Sequence, residues 1–361
     1  MAARFYRTLP IVLGGLFVRL SNGFKIAIVY ASVFLGAGFA SGQELIRYFV
    51  GFGPMGAVGL VLAGALFALT GWAALNICHR VQVTTYNGLM QHLLGKRLGI
   101  ATEWLVAVFL FCLFVAMLAG AGATAQQAFN IPFTVGAGVV GFLVFLVLIF
   151  GLDGVVKINL VLAPLMMLGG FFVGLYAFLA ASRPVFAGLG GVHSGWVITA
   201  VVYASYNLVT GIPVLAATSK LATRKSHAAM GGIIGGGIIT LLGLSLALPL
   251  FLYHNQVINL EIPLLAIVVN YGQLFSFLYL AVLVSALFTT AACNGFALLQ
   301  WLGTHVQGPL TDKKKAAAAL CLLGVGAAHI GFSRIVAYVY PIFGLLGLFL
   351  VVIILLNGWK K

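Results

Sequence analysis

The chain has 361 residues, of which 63% are hydrophobic and 7% charged, with a mean hydropathy of +1.17. That is too little charge to cover a soluble domain of this length. The apolar residues fall in runs of about 20 or more, the helical span of a bilayer core, and not in the alternating segments of about 10 that make a membrane barrel.

In chain order, residues 1–24 read as a cytoplasmic or interfacial segment. Arg4, Arg7 and Arg19 flank an apolar stretch, Leu9 to Val18, that Pro10 interrupts and that is too short to span. No small-residue cleavage site clearly follows it. Ten spans come next: Lys25–Phe49, Pro54–Ile77, Trp104–Phe129, Thr134–Leu152, Val155–Ala180, Gly195–Ala217, Ala229–Tyr253, Leu274–Trp301, Ala316–Ile330 and Ile335–Leu356. Glu261 to Tyr271 reads as a short helix outside the membrane. The expected class is an all-α polytopic membrane protein. Cys78, Cys112, Cys293 and Cys321 all lie in apolar segments without metal-ligand spacing, and read as small buried hydrophobes.

The 19 Lys and Arg against five Asp and Glu invite a nucleic-acid reading. Their positions remove it. With the amino terminus inside, the inner segments hold Arg4, Arg7, Arg19 and Lys25, then Arg80, Lys96 and Arg97, then Lys157. They continue with Lys220, Arg224 and Lys225, then Lys313, Lys314 and Lys315, then Lys360 and Lys361. Only Arg47, Arg183 and Arg334 fall outside. This bias orients a plasma- or inner-membrane protein with both termini cytoplasmic, its partners being the lipid bilayer and a small-molecule substrate, with no nucleic acid.

The first span carries Gly36-Ala37-Gly38-Phe39-Ala40-Ser41-Gly42 at its centre. Each glycine costs a helix about 1 kcal/mol against alanine. Unwinding at mid-membrane and close GxxxG packing through Gly38 and Gly42 both fit this run. The sixth span reads Tyr203-Ala204-Ser205-Tyr206-Asn207-Leu208-Val209-Thr210-Gly211-Ile212-Pro213. Gly211 and Pro213 weaken it, since proline lacks a donor and clashes one turn back. Both spans contain Tyr-Ala-Ser, at Tyr30 and at Tyr203, and in that register Gly38 falls on Gly211. Ten spans divide into five and five, which inverts the second half: residues 25–182 and 193–358. Paired interruptions in inverted halves point to a transport site at the midplane.

The stretch GAGFASGQELIRYFVGFG, followed by YASYNL and GIPVL, resembles the YkvI-like family of bacterial membrane proteins, which is grouped with amino-acid permeases. The resemblance covers roughly Lys25 to Asn357. It implies a LeuT-type five-plus-five inverted repeat with helices 1 and 6 interrupted, and secondary transport of an amino acid or similar small solute. In sodium-coupled members of that fold, carbonyls at the first break and a carbonyl with two hydroxyls on helix 8 hold the ion. The matching positions here are Ala37 and Ala40, then Ala286, Thr289 and Thr290. Threonines also bond back to their own helix, the competing structural role. Proton-coupled relatives place a lysine in mid helix 5, where this chain has Leu165-Met166-Met167, so Na+ is the expected coupling ion. No other cofactor is expected.

The substrate site is expected between the breaks, at Ala37, Gly38, Ser41 and Gly42, and at Tyr203, Ser205, Tyr206, Asn207 and Thr210. Half-helix ends there suit the two charges of a zwitterion. Phe39 and Tyr206 serve as apolar walls or as ordinary core aromatics. Glu44 and Arg47 lie three apart on one face and can pair. Arg47 matches the outer-gate arginine of the symporter relatives. Glu44, roughly 9 Å outward of Gly38 at helical rise, binds a substrate amine, carries a proton or holds Arg47, with the gate or structural role favoured over proton carriage. Gln126, Gln127 and Asn130 are placed to line an entry path. The Gly231–Gly237 run reads as tight packing. A divalent-metal transporter would place an acidic residue at the first break, which here holds small residues and Phe39. Glu44, Glu103, Asp153, Glu261 and Asp312 stand far apart in sequence, so an enzyme is not indicated.

Overall fold

The computed structural model describes residues 21–34, 36–150, 168–172, 174–176, 179, 185, 194–305 and 312–359. Regular structure among them is entirely helical. The first span is three pieces, α1 (Asn22–Phe34), α2 (Ala37–Ser41) and α3 (Gln43–Tyr48). Then come α4 (Pro54–Val81), α5 (Tyr86–Phe129), α6 (Phe133–Phe150), α7 (Trp196–Thr218), α8 (Lys225–Val257), α9 (Pro263–Val268), α10 (Gln273–His305), α11 (Lys313–Ala328) and α12 (Phe332–Gly358). Seven of them, α4 to α8, α10 and α12, are long and apolar enough to cross a bilayer. The first span, being in pieces, and α11, with 16 residues, fall below that length. The expected fifth span lies largely outside the described residues, as do residues 1–20.

Local signals set the helix ends. Pro54 opens α4, where a missing N–H costs nothing. Thr85 accepts the Gly88 amide at 3.2 Å and Asp312 the Lys314 amide at 2.9 Å, capping α5 and α11. Helix α5 begins 18 residues before the expected Trp104, because an outlying helical segment joins it through Gly95 at φ 75°, ψ 171°. The sixth span departs from expectation: α7 is one helix, with Pro213 inside it.

Helix α8 lies backbone to backbone on α4. A methyl group added at Gly232 would fall 2.1 Å from the Trp72 amide nitrogen, and one at Gly236 2.5 Å from that of Ala68. The glycine run thus does the close packing read from it. Helix α7 is seated on α12 in the same manner, where a methyl at Gly347 would fall 2.8 Å from the Ser205 carbonyl oxygen. Tyr30 of α1 donates to the Phe67 carbonyl of α4 at 3.0 Å.

The two ends of the bundle are closed by different contacts. At one end Arg80 donates to the Asn357 carbonyl at 3.2 Å and Asn76 to that of Gly358 at 3.0 Å. A cavity of about 610 Å³ opens beside them, lined by His79, Arg80, Lys225, Trp72 and Trp359. Segments expected outside meet at the other end, where Gln127 pairs with both backbone groups of Ile262 at 3.0 and 3.1 Å.

Candidate functional site

The first span is interrupted twice. Gly36 is extended (φ −66°, ψ 176°), and Gly42 takes φ 83°, ψ −3°, a left-handed conformation that only glycine adopts without strain. Between them α2 makes little more than a turn. Its groups are satisfied locally: Ser41 Oγ donates to the Gly38 carbonyl at 3.0 Å and accepts the Gln43 amide at 3.2 Å. Leu264 of α9 and Leu250 of α8 close over Gly42. The short helix α9 is therefore tucked into the bundle, with Leu264, Leu265, Ile267 and Val268 at most 2% exposed.

Glu44, at the start of α3, does not turn outward. Its side chain folds back across Gly38, where a methyl group would fall 1.8 Å from Oε1 and 2.6 Å from the carboxyl carbon. The absence of a side chain at Gly38 is what makes room for the carboxylate. Oε2 accepts the Tyr206 hydroxyl at 2.8 Å, joining the broken first span to mid-α7. The possible pair with Arg47 is not formed: Glu44 is buried and Arg47 exposed. The first break does hold an acidic group after all, delivered from six residues along. It is a single carboxylate, and among the described residues no cluster of three His, Cys, Asp or Glu side chains could hold a metal.

Four tyrosines surround it. Ring centroids lie 5.5 Å apart for Tyr48 and Tyr206, 5.5 Å for Tyr203 and Tyr206, 5.6 Å for Tyr48 and Tyr203, and 4.9 Å for Tyr206 and Tyr340. Phe49, Phe67 and Phe109 pack around them, edge to face. Tyr48 donates to the Val336 carbonyl at 3.2 Å. The hydroxyls of Tyr203 and Tyr340 are buried without a hydrogen-bond partner.

Other expected residues have different occupations. On α7, Ser205 donates to the Val201 carbonyl at 2.8 Å, Asn207 to that of Tyr203 at 3.0 Å, and Thr210 to that of Asn207 at 2.8 Å. All three are bonded within their own helix. Phe39 is buried against Gly243 of α8. At the expected ion site, Gly36 does approach Thr290 of α10: a methyl there would lie 3.9 Å from its Cγ2 and 4.0 Å from its Oγ1. The Ala40 carbonyl, however, accepts the Tyr279 hydroxyl, and Thr289 donates to the Ala286 carbonyl at 3.3 Å. Gln127 fastens the loop before α9.

Several participants were not singled out from sequence. Glu261 accepts both the amide and the hydroxyl of Ser333 at 2.8 Å, capping the start of α12. Gln43 Nε2 donates to the same Ser333 hydroxyl oxygen. One serine thus ties α3, the loop before α9 and α12 together next to the break. Tyr48, Tyr279 and Tyr340 were likewise missed. The available signal was the polar content of apolar spans: tyrosines spaced three apart at Tyr203 and Tyr206, and an intramembrane carboxylate.

No family model matches the chain. It is 26% identical over 332 residues to the uncharacterized membrane protein YkvI of Bacillus subtilis (strain 168), covering 90% of this chain and 92% of that protein. It is 25% identical over 358 residues to the uncharacterized protein YyaD of the same organism, covering 94% and 98%. Among solved structures it superposes on MhsT in complex with L-phenylalanine with a TM-score of 0.64 at 16% identity, covering 95% of this chain and 90% of that one. The inward-facing conformation of Mhp1 gives 0.59 at 15%, covering 93% and 76%. A manganese transporter of Eremococcus coleocola, in complex with an aromatic bis-isothiourea compound, gives 0.60 at 16%, covering 98% and 79%. The resemblance to YkvI-like membrane proteins therefore runs through nearly the whole chain, and its helices take the LeuT-type fold.

Proposed function

We propose that this chain is a secondary active transporter working by alternating access. It carries an amino acid or similar small organic solute across the cell membrane, both termini being cytoplasmic. The observation that carries this reading is the Glu44–Tyr206 junction. It joins a charged group at the broken centre of the first span to the middle of the sixth, where an inverted-repeat transporter binds its solute. The fold is shared with proteins described as transporters, one of them solved with an amino acid.

The coupling ion proposed is sodium, held by the carbonyls of Ala37, Ala40 and Ala286 and the hydroxyls of Thr289 and Thr290. The approach of Gly36 to Thr290 supports that placement. Tyr279 donates to the Ala40 carbonyl and would compete with the ion for it. That competition favours a second reading, in which a proton on Glu44 is the coupling ion. Uptake into proteoliposomes, with a sodium gradient or a proton gradient imposed separately, decides between them. Uptake indifferent to sodium and driven by protons overturns the sodium site. No saturable counterflow of any amino acid or amine overturns transport, and ion currents without counterflow would mark a channel.

A further inference from the structure

We propose that the space around Glu44 seats an organic ammonium group, so that the solute is recognised by its amine and not by a carboxylate. The inference deepens the transport-site reading above and rests on its placement of the site between the first and sixth spans.

Every polar feature of this space is electron-rich. Glu44 is 7% exposed, and no basic side chain among the described residues lies within ion-pair distance of it. Tyr206 supplies a single hydrogen bond to the carboxylate, at 2.8 Å. Oε1 is left over Gly38. The hydroxyls of Tyr203 and Tyr340 are buried and unpartnered, and both rings pack on Tyr206, with centroids 5.5 and 4.9 Å away. Tyrosine faces attract cations through their ring quadrupoles, and a buried charge or hydroxyl without a partner is costly.

A single partner that meets the carboxylate and both phenol oxygens together is positive and rich in donors. A proton answers the charge but leaves both phenols unmet. A divalent metal would need further acidic or imidazole ligands, which the described residues do not gather. A solute carboxylate would meet Glu44 as a like charge. An alkylammonium brings one positive charge and three N–H donors, matching one carboxylate oxygen and two phenol oxygens.

The test uses purified full-length protein and a matched series: phenethylamine, L-phenylalanine and 3-phenylpropionate, with ethylamine, glycine and acetate as a smaller set. Binding is followed by thermal shift and by equilibrium dialysis of labelled compound. The expected result is binding by at least one ammonium-bearing member and none by the acids. Glu44→Gln, nearly isosteric, should weaken that binding about 30-fold or more, as loss of one partner of a buried charge pair does. Tyr340→Phe should weaken the amine several-fold while leaving the ligand-free melting temperature unchanged or raised, because it deletes an orphaned hydroxyl. A folding defect would lower both. Binding by an acid, full binding by Glu44→Gln, or no binding by any ammonium compound overturns the inference. Amine binding without counterflow would sink the transport reading and leave the ammonium seat intact. Counterflow of the acids alone would do the reverse.

Discussion

Replacing Gly38 by alanine tests the folded-back carboxylate directly. The new methyl would fall 1.8 Å from Glu44 Oε1, 2.6 Å from its carboxyl carbon and 3.1 Å from its Cγ. Ordinary contact begins near 3.4 Å, so the carboxylate must retreat by well over 1 Å. That displacement breaks the 2.8 Å bond from Tyr206. A hydrogen bond to a charged group is worth about 1.5–3 kcal/mol, and alanine in a helix returns about 0.5–1 kcal/mol over glycine. The net loss is then about 1–2 kcal/mol, read as equilibrium unfolding in mixed micelles. Glu44→Ala alone should cost about 1–3 kcal/mol, since it orphans the Tyr206 hydroxyl. In that background the three nearest atoms to the new methyl are gone, and Gly38→Ala should be neutral or stabilising. The cycle should therefore show a coupling of about 2 kcal/mol. Additivity within about 0.5 kcal/mol, as for independent sites, would refute the geometry.

Three further outcomes follow from other contacts. Glu261→Ala removes both bonds to Ser333 and should cost about 1–3 kcal/mol, with faster hydrogen exchange confined to the first turn of α12; unchanged exchange there would refute the cap. Gly236→Leu forces a side chain into the α4 backbone near Ala68 and should lose about 3 kcal/mol or fail to fold; near-normal stability would show that the helices are not in backbone contact. Thr289→Val removes a hydroxyl bonded to its own helix, so stability should change by less than about 1 kcal/mol, while sodium stimulation of uptake is lost. Retained stimulation would remove Thr289 from the ion site.

The spans were legible because a bilayer demands long apolar runs, and the polar residues that punctuate them mark the boundaries. Gly42 was legible for a different reason: a left-handed turn inside an apolar helix leaves little choice but glycine. The outward placement of Glu44 was wrong because helical rise counts Cα positions, whereas this side chain runs back along the axis over a residue that has none. The sixth span was read as broken on Pro213, whose missing N–H frees one carbonyl. Tight seating on α12, with Val209 pressed against Gly347, accompanies an unbroken helix there. The fastening of Ser333 to Glu261 links positions 72 residues apart through side-chain hydrogen bonds that leave no periodic trace.

An unbroken α7 beside a first span in three pieces would make the two expected halves mechanically unequal. An inverted repeat suggests a pair of matched jaws, each able to flex at its middle. In this chain the flexible joint, at Gly36 and Gly42, belongs to one jaw alone. The other is a stiff rod braced along α12. In the alternating access proposed above, opening toward either side of the membrane would be a matter of swinging one short segment, α2 with its glycine ends, against a fixed wall. The carboxylate and the hydroxyl that meet across that boundary act as the clasp, and anything that occupies the clasp sets which way the moving jaw rests.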